Sequence, residues 1–116
     1  MNLLGIIGGL GPMATAYFME QIIGMTDVPC DQEHIPMIIY NCPYIPDRTR
    51  HILGLSKDDP SVPMLEAGKK LVGDGVDEIA IPCITASYYH ATLNQQLPIP
   101  VLNGIRETAE YLEEQK

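Results

Sequence analysis

Leu3-Leu4-Gly5-Ile6-Ile7-Gly8-Gly9-Leu10-Gly11-Pro12 is the stretch on which the fold turns. Leu3 to Ile7 is a continuous apolar run, and a strand with one wet face would alternate instead. It therefore reads as a strand covered on both faces. Gly8 to Gly11 predict a tight turn, and Pro12 suits a first helical turn, where its missing N–H is no loss. From Met13 to about Met25, the residues Ala14, Tyr17, Phe18, Ile22 and Met25 recur at helical spacing. Strand, glycine turn and helix make the first unit of a parallel α/β sheet.

The same alternation continues outward. Pro36 to Tyr40 is a second buried run, ended by Asn41-Cys42-Pro43, where Pro43 discourages further pairing. Tyr44 to Asp59 is long and irregular, with a short helical turn at Arg48 to Leu53, and loops of that length in a small domain are usually functional or disordered. Asp59-Pro60 reads as an N-cap and first turn. Met64, Gly68, Leu71 and Val72 then form one helical face that stops at Gly73-Asp74-Gly75. Glu78 to Pro82 is the third strand and Cys83 to Ser87 the loop beyond it, with a helix from Ala86 or Ser87 to about Leu93. Pro98 and Pro100 frame a fourth strand near Val101 and Leu102. Arg106 to Glu114 reads as a last helix, with Ile105, Ala109 and Leu112 on its apolar side.

The expectation is a single α/β domain over 1–116. It has three layers, a mainly parallel four-stranded sheet with helices on both faces, in the flavodoxin-like order 2-1-3-4. Ligands of such sheets sit beyond the carboxyl ends of the strands, here between strands 1 and 3. The glycine turn, Asn41 and Cys83 all fall at those ends.

Composition narrows the function. A chain of 116 residues with 46% hydrophobic content is long enough for one core and too apolar for disorder. With 15 acidic against 7 basic residues and a net charge of −8, it has no positive field for a phosphate backbone, so nucleic acid is not expected as a partner. No apolar run approaches the ~20 residues of a membrane span, and the glycine-broken N-terminus lacks the basic start of a signal peptide. Three cysteines, at 30, 42 and 83, show no metal-type spacing. A reducing cytoplasm is the expected location.

Three groups of residues carry chemistry. The amides of Gly8 to Gly11 at a helix start suit an anion, a carboxylate or a phosphate. Gly9-x-Gly11-x-x-Ala14 even matches a loose dinucleotide fingerprint, but Asn41 stands where an acidic ribose partner belongs and no Gly-Lys-Ser/Thr follows. The turn also has a purely structural reading, since glycines sit wherever backbone is cramped. Cys83 lies between a strand and a helix, where dipole and amides stabilise a thiolate; its plainer fate is burial as a small hydrophobe. Arg48 or Arg50 suits a bidentate clamp on a carboxylate, or a surface ion pair with Asp47 or Asp58 worth little. Tyr88 and Tyr89 read as packing residues. His34, His51 and His90 are scattered, so no Cys-His pair is identifiable.

Three motifs in order resemble the aspartate/glutamate racemase family: Gly8-Gly9-Leu10-Gly11-Pro12-Met13-Ala14-Thr15, then Asn41-x-Pro43-x-Ile45-Pro46-Asp47-Arg48-Thr49, then Pro82-Cys83-x-Thr85-Ala86-Ser87. The resemblance spans essentially the whole chain, but only the first of the two α/β domains usual in that family. It implies an amino-acid racemase that works without a cofactor. Two thiols, one from each domain, would flank the α-carbon of aspartate or glutamate, because inversion requires proton transfer on opposed faces. Residue by residue, Cys83 matches the first-domain thiol. Thr85, Ala86 and Ser87 match carboxylate contacts, Asn41, Arg48 and Thr49 line the substrate site, and Gly9 and Gly11 belong to the loop beneath it.

The sequence departs from the family pattern twice. Ile84 stands where the family has Asn directly after the thiol, and losing that donor costs ~1–3 kcal/mol if its substrate partner is left unsatisfied. The second thiol is also absent. Cys42 is a poor substitute because it comes from the same wall, and Cys30 lies in a connection. A homodimer or a missing second domain would supply the opposite wall; the competing reading is a non-catalytic module that binds a small carboxylate or a partner chain.

Overall fold

In the computed structural model, which describes residues 3–104, β1 (Leu4–Gly8) is the middle strand of a three-stranded sheet. β2 (Met37–Asn41) lies parallel to it on one side, from Leu4 opposite Met37 to Gly8 opposite Asn41. β3 (Glu78–Ala80) lies parallel on the other, from Leu4 opposite Glu78 to Ile6 opposite Ala80. The order is therefore β2-β1-β3. The expected fourth strand is reduced to one parallel bridge between Ile79 and Val101. It is closed by hydrogen bonds from Ile79 N to the Pro100 carbonyl (3.0 Å) and from Leu102 N to the Ile79 carbonyl (2.8 Å). Pro98 and Pro100 have no N–H to extend a ladder upstream.

Each strand run lies where its hydrocarbon can be covered. Leu4 and Ile6 face α1 (Pro12–Met25), which packs Phe18 and Ile22 against them with Ala80. Ile7 faces the opposite layer, where α3 (Ser61–Gly73) and α4 (His90–Gln96) bury Met64, Leu71 and Leu93 with Ile79 and Val101. Each of these fully buried aliphatic side chains is worth ~1.5–3 kcal/mol of apolar transfer. Glycines set the spacing between layers: a Cβ on Gly5 would lie 3.0 Å from Val76, and one on Gly68 would lie 2.7 Å from Leu97.

Three further elements differ from the sequence reading. β2 is an edge strand and is half-buried instead of covered. β3 stops at Ala80, short of Pro82, because Cys83 N turns back to the Ile81 carbonyl at 2.8 Å in place of a ladder bond. The helix after Cys83 begins as a 3-10 turn over Thr85–Tyr89 before α4. Threefold winding stacks Ala86 above Tyr89 and sends both into the core. The short turn after Asp47 is α2 (Arg48–Ile52), and a 3-10 turn at Asp31–Glu33 precedes β2. The expected helix Arg106 to Glu114, with Ile105, Ala109 and Leu112, lies outside the described residues.

Candidate functional site

The glycine turn is braced from within. Gly9 has φ +93, and a Cβ there would sit 2.5 Å from the backbone nitrogen of Cys42, so only glycine fits without strain. Its N–H donates to Thr15 Oγ1 at 2.9 Å, and the Thr15 hydroxyl donates to the Gly11 carbonyl at 3.2 Å. Gly8 must lack a side chain too, since a Cβ would lie 2.5 Å from Thr15 Cγ2. Cys42 N then donates to the Gly8 carbonyl at 2.9 Å, tying the end of β2 to the end of β1. The Gly9 amide is thus satisfied by Thr15 and is not an open anion donor. Gly11, the N-cap of α1, is exposed.

Cys83 stands just beyond β3, half-buried, with its Sγ 3.2 Å from Thr85 Oγ1. It packs against the core cluster that contains Ile7, Leu10, Cys42, Ile45 and Ala86. The thiol follows β3 and the glycine turn follows β1, so both lie beyond the carboxyl ends of adjacent parallel strands. Thr85 is exposed beside the sulfur, whereas Ala86 is buried. The N–H groups of Ala86 and Ser87 donate to the carbonyls of Cys83 and Ile84, at 3.2 and 3.1 Å, so the Thr85 hydroxyl is the better-placed donor of this segment. Ile84 projects into solvent at 83% exposure next to the thiol. Cys42, at 4% exposure, is a core residue and Cys30 is exposed in its connection.

Asn41 is exposed at the end of β2, and Thr49 on α2. Asp47 caps α2 by accepting from Arg50 N at 3.0 Å. Arg48 pairs with neither Asp47 nor Asp58. Its Nη1 donates to the carbonyls of Ile45 (3.4 Å) and Pro46 (3.3 Å), and its buried Nε has no partner. A guanidinium held by two long bonds with one donor orphaned is under-satisfied by ~1–3 kcal/mol. Arg50 reaches the Leu55 carbonyl at 3.5 Å.

Sequence reasoning missed a second polar group. His51 Nδ1 lies 2.8 Å from the Tyr89 hydroxyl, and the two rings stack at 5.8 Å between centroids. The other ring nitrogen is 4.0 Å from Asp59 Oδ1. Burial holds the Tyr89 phenol above its ordinary pKa, so it stays a neutral donor. Hydrogen bonds from the hydroxyl and N–H of Ser61 hold Asp59 below the usual carboxylate range. No local motif joins residues 38 positions apart. Thr15 was the more legible of the missed residues, as a hydroxyl in the first turn of an apolar helix.

The edge thus offers one half-exposed sulfur, hydroxyl donors and an under-used cation, which suits proton transfer next to a bound anion. Among the described residues no group of three or more His, Cys, Asp or Glu could hold a metal, and no helix is long and apolar enough to cross a membrane. A groove of about 540 Å³ opens at the other end of the sheet, between Phe18 and Ile22 of α1, His34 and Leu102, and none of the expected site residues lines it.

Solved relatives carry the same architecture over the length of this chain. A family profile described as Asp/Glu/hydantoin racemase matches residues 7–116. The broad specificity amino-acid racemase RacX of Bacillus subtilis (strain 168) is 31% identical over 112 residues, covering 91% of this chain and 47% of RacX. The aspartate racemase of Picrophilus torridus superposes with a TM-score of 0.91 at 34% identity, over 99% of this chain and 48% of its own. An aspartate racemase homologue from Pyrococcus horikoshii OT3, at 22% identity and a TM-score of 0.82, shares the fold over 99% of this chain and 50% of its own. The chain spans about half the length of the relatives it matches. On the profile match and the identity to RacX, the chain belongs to the Asp/Glu/hydantoin racemase family.

Proposed function

We propose that this chain forms one wall of a cofactor-free racemase site for an acidic amino acid, aspartate or glutamate, with Cys83 as the acid/base on that wall. The observation that carries the reading is the half-exposed Cys83 sulfur, 3.2 Å from the Thr85 hydroxyl, at the edge where the glycine turn and Asn41 also end. As thiolate, Cys83 takes the α-proton and becomes a thiol, and the electron pair left on carbon delocalises into the substrate carboxylate. An acid on the opposite face then donates a proton to that carbon, which inverts it. Thr85, Ser87, Asn41 and Thr49 supply polar contacts to the substrate. Arg48 swings from its two long carbonyl bonds onto a carboxylate, and stabilises the charge that builds there. The opposite wall comes from a second α/β unit or a second copy of the chain. Its three free thiols suit a reducing cytoplasm.

The test is loss of the α-proton of L- and D-aspartate in D2O, followed by NMR with chiral chromatography alongside. Cys83→Ala is expected to lower exchange at least ~100-fold, in the range general acid–base groups contribute. Exchange unchanged by Cys83→Ala overturns the reading. The 116-residue chain alone is expected to racemise slowly, with only one thiol wall in place.

Ile84 favours a second reading. An exposed isoleucine beside the thiol removes an amide donor the family uses, which suits a module that binds a small carboxylate without turnover. Aspartate-induced NMR shifts at Asn41, Arg48 and Thr85 with no α-proton exchange would select it.

A further inference from the structure

We propose that Tyr89 and His51 are positioning residues that latch the arginine-bearing helix α2 to the thiol-bearing turn. The inference rests on the reading of Cys83 and Arg48 given above. A five-residue helix has almost no stability of its own, because nucleation is unfavourable and so few bonds repay it. Its place over the sheet edge must be set by contacts with other elements. The Asp47 cap is local and cannot do this.

The latch supplies those contacts from two directions. On one side the Tyr89 hydroxyl meets His51 Nδ1 at 2.8 Å and lies 3.5 Å from the Arg48 carbonyl, so one phenol touches both ends of the short helix. On the other side Asp59 faces His51 Nε2 at 4.0 Å, and is itself fixed by Ser61 N (2.9 Å) and Ser61 Oγ (2.8 Å) at the start of α3. At 4.0 Å the carboxylate acts on the ring through charge and not through a hydrogen bond. Tyr88 packs edge-on against the Tyr89 ring at 5.1 Å and limits its swing.

Pure packing does not account for the hydroxyl. Tyr89 is 4% exposed, and a phenylalanine would fill the same volume without burying a polar group. A buried phenol needs a partner, and the partner is a histidine on the helix that carries Arg48 and Thr49. Tyr89 also closes the 3-10 turn that begins at Thr85, whose hydroxyl sits beside Cys83. Holding His51 to Tyr89 therefore keeps the Arg48 clamp ordered before substrate arrives, so that less ordering is left to be done on binding.

The experiment compares Tyr89→Phe, His51→Leu and His51→Asn in the purified protein. Asn places a polar atom where Nδ1 stands and is the rescue variant. Amide hydrogen exchange over residues 48–55 is expected to speed up ~10-fold in Tyr89→Phe and His51→Leu and to return toward wild type in His51→Asn, with β1 and α3 unchanged. The KM for aspartate in α-proton exchange is expected to rise ~5–10-fold in the first two variants, with kcat changing less than twofold. Unchanged hydrogen exchange over 48–55 overturns the latch. Faster exchange with an unchanged KM leaves only a brace and overturns the positioning role. Wild type that neither binds nor turns over aspartate overturns the parent reading, and the positioning role with it.

Discussion

At Gly9 the backbone geometry and the neighbouring chain make the same demand. Its φ of +93 disfavours any side chain, and a Cβ would collide with the Cys42 backbone, which cannot move aside as a flexible side chain can. Gly9→Ala is expected to lower stability by more than ~1 kcal/mol, read as a shift in urea midpoint at unchanged slope. Glycines at 8, 9 and 11 were legible as a turn, but their division of labour was not. Which of them is cramped, and that Thr15 satisfies the amide of Gly9, depends on how β2 returns beside β1. Thiol chemistry gives a second prediction at this scale. Cys30 is exposed, Cys83 half-buried and Cys42 buried, so intact-mass analysis after brief alkylation is expected to find two labels in native protein and three in denaturant. Early labelling of Cys42 would contradict its burial.

Helices test how local rules and tertiary demands share control. Gly24 lies in the last turn of α1 with nothing within 4 Å of its Cβ position, so Gly24→Ala is expected to stabilise by ~0.5–1 kcal/mol in the same urea assay. Asp59, just before α3, has a pKa lowered mainly by Ser61, with His51 adding a smaller pull. A depressed carboxylate contributes stability in full above its unfolded value of ~3.9, and that contribution disappears as pH falls through the folded value. The carboxylate is 44% exposed, so solvent screens it and the effect is modest. Wild type is expected to exceed Asp59→Asn in stability from pH 5 to 7, with the gap closing below about pH 4. α1 and α3 were legible because apolar period and end signals agreed. The end of β3 was misjudged because Cys83 N pairs with the Ile81 carbonyl two residues back, a local turn that no apolar period encodes.

At the level of the whole molecule, the three motifs converge because parallel strands deliver their following segments to one edge, and that much follows from topology alone. What topology does not specify is what covers that edge. Tyr44, Leu53, Leu55, Ile84 and Tyr88 are exposed, and each lies in a segment that follows β2 or β3. Exposed hydrocarbon of this kind favours association, while a net charge of −8 on every copy opposes it. Salt screens the repulsion, with a Debye length of ~30 Å at 0.01 M falling to ~3 Å at 1 M, and leaves the apolar attraction intact. Sedimentation equilibrium of the 116-residue chain is therefore expected to give an apparent mass that rises between 0.01 and 0.5 M salt. Ile84→Glu with Tyr88→Glu is expected to flatten that rise, because both substitutions replace exposed hydrocarbon in the segment after β3 with charge. Met25→Glu, at the exposed far end of α1, is expected to leave it intact. A mass independent of salt in all three proteins would mean that the edge bearing Cys83 is not an associating surface.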